Sequence, residues 1–373
     1  MTNGKRENHM RNIGFSAGVE YKGKVYFAAW EHNAFCWARP EDGEVHFISF
    51  FEEEEMIPRL YSAAFLFKDE VWFMPCTARH IVCVNLVNYE MTFYDIQFNQ
   101  KREYSVEGSY FAFYQGIFDN DRDKLYFLPG CIDSMTVIDV KTHMIEWVPS
   151  VIQIEGTDRD EAVKSAILKN GKVLLFGQNK AFYEVFDPDE RTIEVIKCSN
   201  CLEVNGLPFK LGNGIGFTYI FGKRIPVFHE ADHTITYLDT PDDENSFAGV
   251  MDFGNELLLL PFVSMYFLVI NKATNEVRKF IPTDDWILNE EYSAIREIVP
   301  EKMAVSSMDG TIVIFDRVDC CRAYRLSWET MWGEYCAELK KFPSKMNSIF
   351  GKGQLADERD YPLDTFLRYV CDS

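Results

Sequence analysis

Residues 165–196 read SAILKNGKVLLFGQNKAFYEVFDPDERTIEVI, and this stretch contains the unit from which most of the chain is built. The small pair Ser165-Ala166 opens an apolar segment, a polar turn containing Gly171 follows, and a second apolar segment runs to Gly177. Two further aromatic and β-branched segments surround the turn DPDER. Short apolar runs bounded by polar turns are typical of antiparallel strands. The stretch therefore predicts four short β-strands joined mostly by tight turns.

The unit recurs along the chain at intervals of roughly 45 to 55 residues, with one shorter step, as expected for a repeat fold. The matching turn-and-strand segments begin at Tyr21, Phe67, Asn120, Lys169, Phe221, Phe253 and Val299. Small residues precede many of these segments, as expected where innermost strands crowd toward the axis of a propeller. These small pairs are Ser16-Ala17, Ser62-Ala63, Ser165-Ala166, Ser293-Ala294 and, as a looser match, Ser246 with Ala248. Gln115-Gly116 occupies the matching place in the third unit.

The repeat predicts an all-β fold, a seven-bladed β-propeller of four-stranded antiparallel blades over residues 13–326. A β-sandwich would not place the units in one shared register, and the rungs of a solenoid would be shorter. Six blades stay an alternative, because the fifth unit, Gly214–Thr240, is short and has no obvious fourth strand.

The blade layout of these units resembles that of kelch-like and related bacterial propeller proteins. The chain departs from the kelch pattern, because no unit has the kelch double glycine, and the Trp-Asp pair of WD40 blades is also absent. What the resemblance implies is the fold alone, since propellers host unrelated functions.

Residues 327–373 differ from the repeats and predict a short α-helical C-terminal extension. Apolar side chains recur there at helical spacing, and Pro343 is expected to end the first helical stretch. The helix either packs on its own propeller or docks on a partner protein. The candidates for docking are Trp328, Trp332 and Tyr335.

Charge and cysteine usage limit the possible partners and the compartment. The chain has 58 acidic and 38 basic residues, a formal charge of -20, which disfavours nucleic acid and anionic membranes as partners. No apolar segment reaches the ~18 residues that a membrane span requires, and no secretory signal is recognised at the N-terminus. The 10 cysteines are scattered, so we expect reduced thiols in a cytoplasmic protein.

Loops from every blade converge at one end of a propeller channel, and ligand sites commonly form there. The loops that we assign between second and third strands contain several His, Glu and Asp residues, which could together hold a divalent metal. The candidate ligand-binding or metal-binding residues are Glu31, His32, Arg79, His80, Asp133, Gln178, His229, Glu230, Asp232, His233 and Asp309.

Two functions compete at this channel mouth. The first is binding of a small molecule, a glycan or a protein partner through the loop face. The alternative is a metal-dependent lyase or hydrolase, in which the metal polarises a carbonyl and a carboxylate or His moves a proton. An enzyme predicts that one cavity receives all six of the following side chains: Glu31, His32, His80, His229, Glu230 and His233. A binding protein predicts that they scatter. The sequence assigns no catalytic residue.

Overall fold

The structure is a computed structural model. It describes residues 15–30, 32–96, 112–130, 132, 134–150, 163–177, 180–202, 204, 206–218, 224–241, 247–261, 266–281, 295–298, 303–306 and 311–342. Among these residues, no helix combines the length and the apolar character that crossing a bilayer requires.

Within these ranges the chain forms seven four-stranded antiparallel sheets, each made of four consecutive strands. The first three sheets are β1–β4 (Phe15–Tyr21, Lys24–Ala29, Phe35–Arg39, Glu44–Ser49), β5–β8 (Tyr61–Phe67, Glu70–Pro75, His80–Asn85, Met91–Asp95) and β9–β12 (Phe113–Asp119, Lys124–Pro129, Ser134–Asp139, Met144–Pro149). The next two are β13–β16 (Val163–Lys169, Lys172–Gly177, Lys180–Asp187, Thr192–Leu202) and β17–β20 (Pro208–Leu211, Gly214–Phe217, Arg224–His229, Thr234–Asp239). The last two are β21–β24 (Phe247–Asp252, Glu256–Pro261, Phe267–Asn271, Val277–Phe280) and β25–β28 (Ile295–Ile298, Met303–Ser306, Thr311–Arg317, Cys320–Arg325).

The sheets are the blades of a propeller, because the first strands of most neighbouring sheets lie against one another around an axis. A separate apolar cluster fills each junction between consecutive blades, including the junction between the last blade and the first. The core is thus a ring of interfaces between sheets.

The second strands explain why the apolar runs in the sequence are nearly continuous. In β6, Val71 and Phe73 pack toward the first blade, whereas Trp72 and Met74 pack toward the third. Successive side chains of a strand point to opposite faces, so a blade covered on both sides needs apolar residues at every position. Such strands read as apolar runs without alternation.

The small residues predicted for the innermost strands are found there. Ser16 and Ser62 lie on β1 and β5, at the point where the pairing register shifts by one residue. A Cβ atom at Gly116, on β9, would come within 2.5 Å of the Phe65 ring of the preceding blade, so glycine allows these two strands to approach closely. Ser293-Ala294 and Ser246 lie outside the described residues.

The prediction for the fifth unit was wrong. Its sheet begins with the strand Pro208–Leu211 and ends with a fourth strand, Thr234–Asp239. The predicted range, Gly214–Thr240, therefore left out the first strand of the blade, whereas it contained the fourth strand that we had expected to be missing. The physical reason is Gly216, where a Cβ atom would lie within 2.4 Å of the Phe209 ring. Glycine lets β17 lie closely on β18, but it also removes the apolar side chains by which a strand is recognised.

The chain after β28 returns to the outer edge of the first blade. Ser327 forms a parallel bridge with Glu44, its N–H donating to Gly43 O at 2.6 Å while Val45 N–H donates to Ser327 O at 3.1 Å. Helix α1, Glu329–Leu339, follows at once and packs on β4. The extension therefore joins the last blade to the first, and the part described packs on its own propeller.

Candidate functional site

The strand order divides the connections between two ends of the propeller. In a sheet of four consecutive antiparallel strands, the turns from first to second and from third to fourth lie at one end. The connections from second to third strand, and from one blade to the next, lie at the other end. We call the first end the hairpin face and the second the loop face.

The predicted ring of His, Glu and Asp is divided between these faces, which corrects the sequence interpretation. His229 ends β19, the third strand of its blade, and is paired with Thr234 on the fourth strand. The residues from Glu230 to His233 therefore form a turn on the hairpin face, at the opposite end from His32 and His80. The error follows from the misplaced fifth unit, in which Arg224–His229 was taken for a second strand.

Those turn residues have local and inter-blade contacts. Asp232 accepts hydrogen bonds from the Thr234 hydroxyl at 2.7 Å and from the Thr234 N–H at 3.2 Å. The bond from the hydroxyl is the main reason why the pKa of Asp232 lies below its ordinary value. His229 Nε2 lies 2.8 Å from Thr236 Oγ1. Glu230 forms an ion pair with Lys169 of the preceding blade. They shape the turn and tie two blades together.

Four of the candidates, Glu31, Asp133, Gln178 and Asp309, lie outside the described residues. His32 is described, and it lies against the C-terminal helix. Its ring centroid is 5.0 Å from that of Trp332 and 5.8 Å from that of Tyr335. Burial among these rings lowers the pKa of His32 to about 4, so the imidazole is neutral at neutral pH.

Arg79 and His80 are held by a carboxylate that sequence reasoning missed. Glu54, buried in the connection from the first blade to the second, accepts hydrogen bonds from the Arg79 N–H at 2.9 Å and the His80 N–H at 2.9 Å. His80 Nδ1 also lies 2.9 Å from Glu54 Oε1. Several donors thus compensate the burial of one charge, and they fix the loop before β7.

Asn33 holds the other side of the same connection. Its side-chain amide donates toward Phe51 O at 3.1 Å, Glu55 O at 3.2 Å and Glu54 O at 3.3 Å, and its Oδ1 accepts from Phe51 N–H at 2.8 Å. The described residues 30, 33, 51–60 and 76–80 therefore form one hydrogen-bonded unit on the loop face. We call this unit the loop platform.

The loop platform carries charge toward solvent. Glu52, Glu53 and Glu55 are exposed on either side of the buried Glu54, and Glu55 pairs with Arg79 at 2.7 Å. The adjacent end of β8 adds Asp95, whose carboxylate lies 3.3 Å from His80 Nε2.

A cation–π pair lies on the same platform. The Arg59 guanidinium is 4.7 Å from the centroid of the Trp30 ring, and the Arg59 N–H donates to Trp30 O at 2.6 Å. Arg59 has a positive φ of 60°, a conformation that costs energy for a residue with a side chain. The platform is thus an ordered surface of mixed charge with an acidic excess.

The predicted docking aromatics are largely covered. Trp328 and Tyr335 are buried, and Trp332 is half-buried. Trp328 packs edge-on against Phe15 and Phe27 of the first blade, with ring centroids 5.7 and 5.9 Å apart. Their described role is therefore to join the helix to its own propeller.

The comparisons with known proteins agree with this fold. No protein-family profile matches the sequence, and no curated protein matches it. Among solved structures, a catalytically inactive virginiamycin B lyase from Staphylococcus aureus with quinupristin has a TM-score of 0.57 at 13% identity, covering 86% of this chain and 97% of that one. A streptogramin B lyase has a TM-score of 0.57 at 11% identity, covering 80% and 91%. BamB from Moraxella catarrhalis has a TM-score of 0.53 at 10% identity, covering 84% and 85%.

These similar structures are β-propeller proteins, and the chain shares that fold with them. At such identities the likeness shows the fold alone.

Proposed function

We propose that this propeller is a binding protein whose loop platform contacts a protein partner with a basic surface. The observation that carries the proposal is the buried Glu54, which aligns Arg79 and His80 through their backbone N–H groups. Surface loops are usually the mobile part of a fold. A loop ordered around a buried charge presents its neighbouring side chains in a fixed arrangement, as a binding site requires.

The charge of the platform supports a cationic partner. The exposed Glu52, Glu53 and Glu55, with Asp95 beside them, outnumber Arg59 and Arg79. The whole chain has a formal charge of -20, so its field attracts basic proteins over a distance of about a Debye length. Complementary charge raises the association rate and excludes acidic partners.

The proposal includes a cytoplasmic location and a kelch-like arrangement of the blades. Cysteine usage supports the location, because the described residues Cys36, Cys76, Cys83, Cys198, Cys320, Cys321 and Cys336 are free thiols. The recurring blade unit in the sequence supports the arrangement.

The test is affinity capture from the cells that produce the protein, followed by crosslinking mass spectrometry. The variant Glu52→Lys/Glu53→Lys reverses charge on the platform, and Glu190→Lys/Glu194→Lys makes the same change at exposed positions away from the loop face. We expect capture of the partner to fall about tenfold or more in the first variant only, and to weaken with salt.

Crosslinks should join the partner to the loop platform. Equal capture by both variants, or crosslinks confined to the hairpin face, would contradict the proposal. A small molecule or glycan that elutes with the protein and is lost in the platform variant would replace the protein partner as the ligand.

A further inference from the structure

Side chains of the second and third blades meet on the hairpin face, away from the loop platform. Glu70 begins β6, Cys83 lies on β7, and His143 belongs to the turn between β11 and β12. One possible ligand atom from each side chain lies within 4.8 Å of the other two. No sequence motif marks this cluster, since its members are distant in the chain and belong to two blades.

The imidazole of His143 is held in place from several sides. His143 has a positive φ of 59°, and its N–H donates to Asp139 O at 2.8 Å. Its Nε2 lies 3.1 Å from Glu70 Oε2, and its Nδ1 lies 2.8 Å from Tyr94 Oη. The Trp72 ring packs nearly perpendicular to the imidazole with the centroids 5.0 Å apart. The turn therefore directs the ring at the second blade.

The other junctions on this face show what a simple tie between blades looks like. Arg122, in the first turn of the third blade, pairs with Asp189 of the next hairpin at 2.6 Å. Lys169 of the fourth blade pairs in the same way with Glu230. The junction between the second and third blades instead places a carboxylate, an imidazole and a buried thiol together.

We propose that Glu70, Cys83 and His143 bind a divalent cation of the zinc class. A thiolate and an imidazole select zinc and its neighbours in the first transition row over magnesium and calcium, which prefer oxygen ligands alone. A carboxylate, a thiolate and a neutral imidazole together carry two negative charges, which balance the charge of the cation.

Binding needs only small movements and a simple proton balance. Ligand atoms around a tetrahedral zinc ion are about 3.5 Å apart. Glu70 Oε2 and His143 Nε2 are already 3.1 Å apart, and no separation in the cluster exceeds 4.8 Å, so the remaining closure is at most roughly 1 Å. The thiol proton leaves to solvent as the sulfur–metal bond forms. When Nε2 binds the metal, Nδ1 keeps the ring proton and its N–H donates a hydrogen bond to Tyr94 Oη, which fixes the tautomer.

The exposure of the ligands defines how the site is reached. The Cys83 side chain is almost inaccessible, at 3% for the residue, whereas the side chains of Glu70 and His143 are 26% and 33% exposed. Ions can enter from the side of these two residues, where a water molecule would complete the coordination. The cation would crosslink the third blade to the second through its ligands and would stabilise the folded chain.

The test is titration of the purified, chelator-treated full chain with Co²⁺, which reports thiolate ligation by a charge-transfer absorption band. We expect one equivalent to bind with that band, and Zn²⁺ to displace it. Zn²⁺ should also raise the unfolding midpoint by roughly 2 °C or more. Cys83→Ala should lose the band, and both Cys83→Ala and His143→Gln should bind Co²⁺ at least about tenfold more weakly.

Cys36→Ala and His229→Gln are the matched controls. Cys36 is also a buried thiol on a third strand, and His229 is also next to a hairpin turn. Both should bind Co²⁺ as the unmodified chain does. If Cys83→Ala does not fold, Glu70→Gln takes its place, with the same loss of affinity expected. Absence of the thiolate band in the unmodified chain, or unchanged binding in the ligand variants, would overturn the proposal.

Discussion

The side-chain amide of Gln115 and the backbone of Ala166 exchange two hydrogen bonds across the junction between the third and fourth blades. Nε2 donates to Ala166 O at 3.0 Å, and the Ala166 N–H donates to Oε1 at 2.9 Å. Ala166 lies on β13, the edge strand of its sheet that faces the propeller axis. Because no further strand of the sheet pairs with this edge, the side chain of Gln115 forms the hydrogen bonds that a neighbouring strand would otherwise form with the Ala166 N–H and C=O groups.

We expect Gln115→Ala to lower the free energy of unfolding by about 1–3 kcal/mol, because it leaves both backbone groups of Ala166 without this partner. Urea denaturation followed by circular dichroism measures the change. Glu190→Gln, at an exposed turn, serves as the control and should stay within about 0.5 kcal/mol of the unmodified chain. A cost for Gln115→Ala no larger than that of the control would show that solvent satisfies the edge equally well.

The C-terminal extension should contribute strongly to stability. Trp328 is buried against Phe15 and Phe27, so Trp328→Ala leaves a cavity between the helix and the first blade and should cost about 3–5 kcal/mol. Phe342→Ala, in the same extension but with 37% of the residue exposed, should cost less. Thermal unfolding of the two variants compares them. Equal midpoints would mean that the helix detaches before the blades unfold.

Glycine positions give a prediction with opposite signs at two sites. A Cβ atom at Gly206 would come within 2.1 Å of Thr218 O, a backbone atom that cannot rotate away, so Gly206→Ala should destabilise by about 1–3 kcal/mol. Gly333 lies in the helix with nothing within 4 Å of a Cβ atom, so Gly333→Ala should stabilise by about 1 kcal/mol. Urea denaturation checks both variants: the midpoint of unfolding should change while the m-value, the slope of the free energy of unfolding against urea concentration, stays constant. A neutral Gly206→Ala would mean that this loop shifts at little cost.

Much of the fold could be predicted because each blade is a local pattern. Runs such as Leu257–Leu260 are apolar at every position, which indicates strands buried on both faces, and the small pairs mark the inner strands. The prediction of the strands of the fifth blade was wrong because Gly214 and Gly216 take the place of apolar side chains in the strand Gly214–Phe217. That local error reversed the end of the propeller to which His229 and Glu230 were assigned, so a mistake of one strand became a mistake about the site.

The loop platform depends on contacts that no local pattern shows. Within the acidic run Glu52–Glu55, all four residues look solvated in the sequence, but Glu54 alone is buried and bonds the next blade. The pairing of Glu334 with the Phe47 N–H, at 2.8 Å, likewise joins the two ends of the described chain. Such contacts form only when the blades are arranged in a ring. They therefore depend on the complete fold and cannot be predicted from the spacing of residues along the sequence.

Acid should destabilise the junction between the first blade and the helix through His32. Burial holds the pKa of His32 at about 4 in the folded state, whereas an imidazole in an unfolded chain titrates near 6.5. Between these values the unfolded state binds more protons, so the free energy of unfolding falls as the pH drops from about 6.5 to about 4. Above about 6.5 this residue contributes no pH dependence.

The contribution of His32 reaches roughly 3 kcal/mol at pH 4, because the pKa of its imidazole is about 4 in the folded chain and about 6.5 in the unfolded chain. A variant without the titrating ring, His32→Phe, should lose that part of the acid dependence, so its urea midpoint should change less than that of the unmodified chain over this range. His229→Phe, a change away from the helix, should keep the full dependence. An identical pH profile for His32→Phe and the unmodified chain would show that other groups govern acid unfolding.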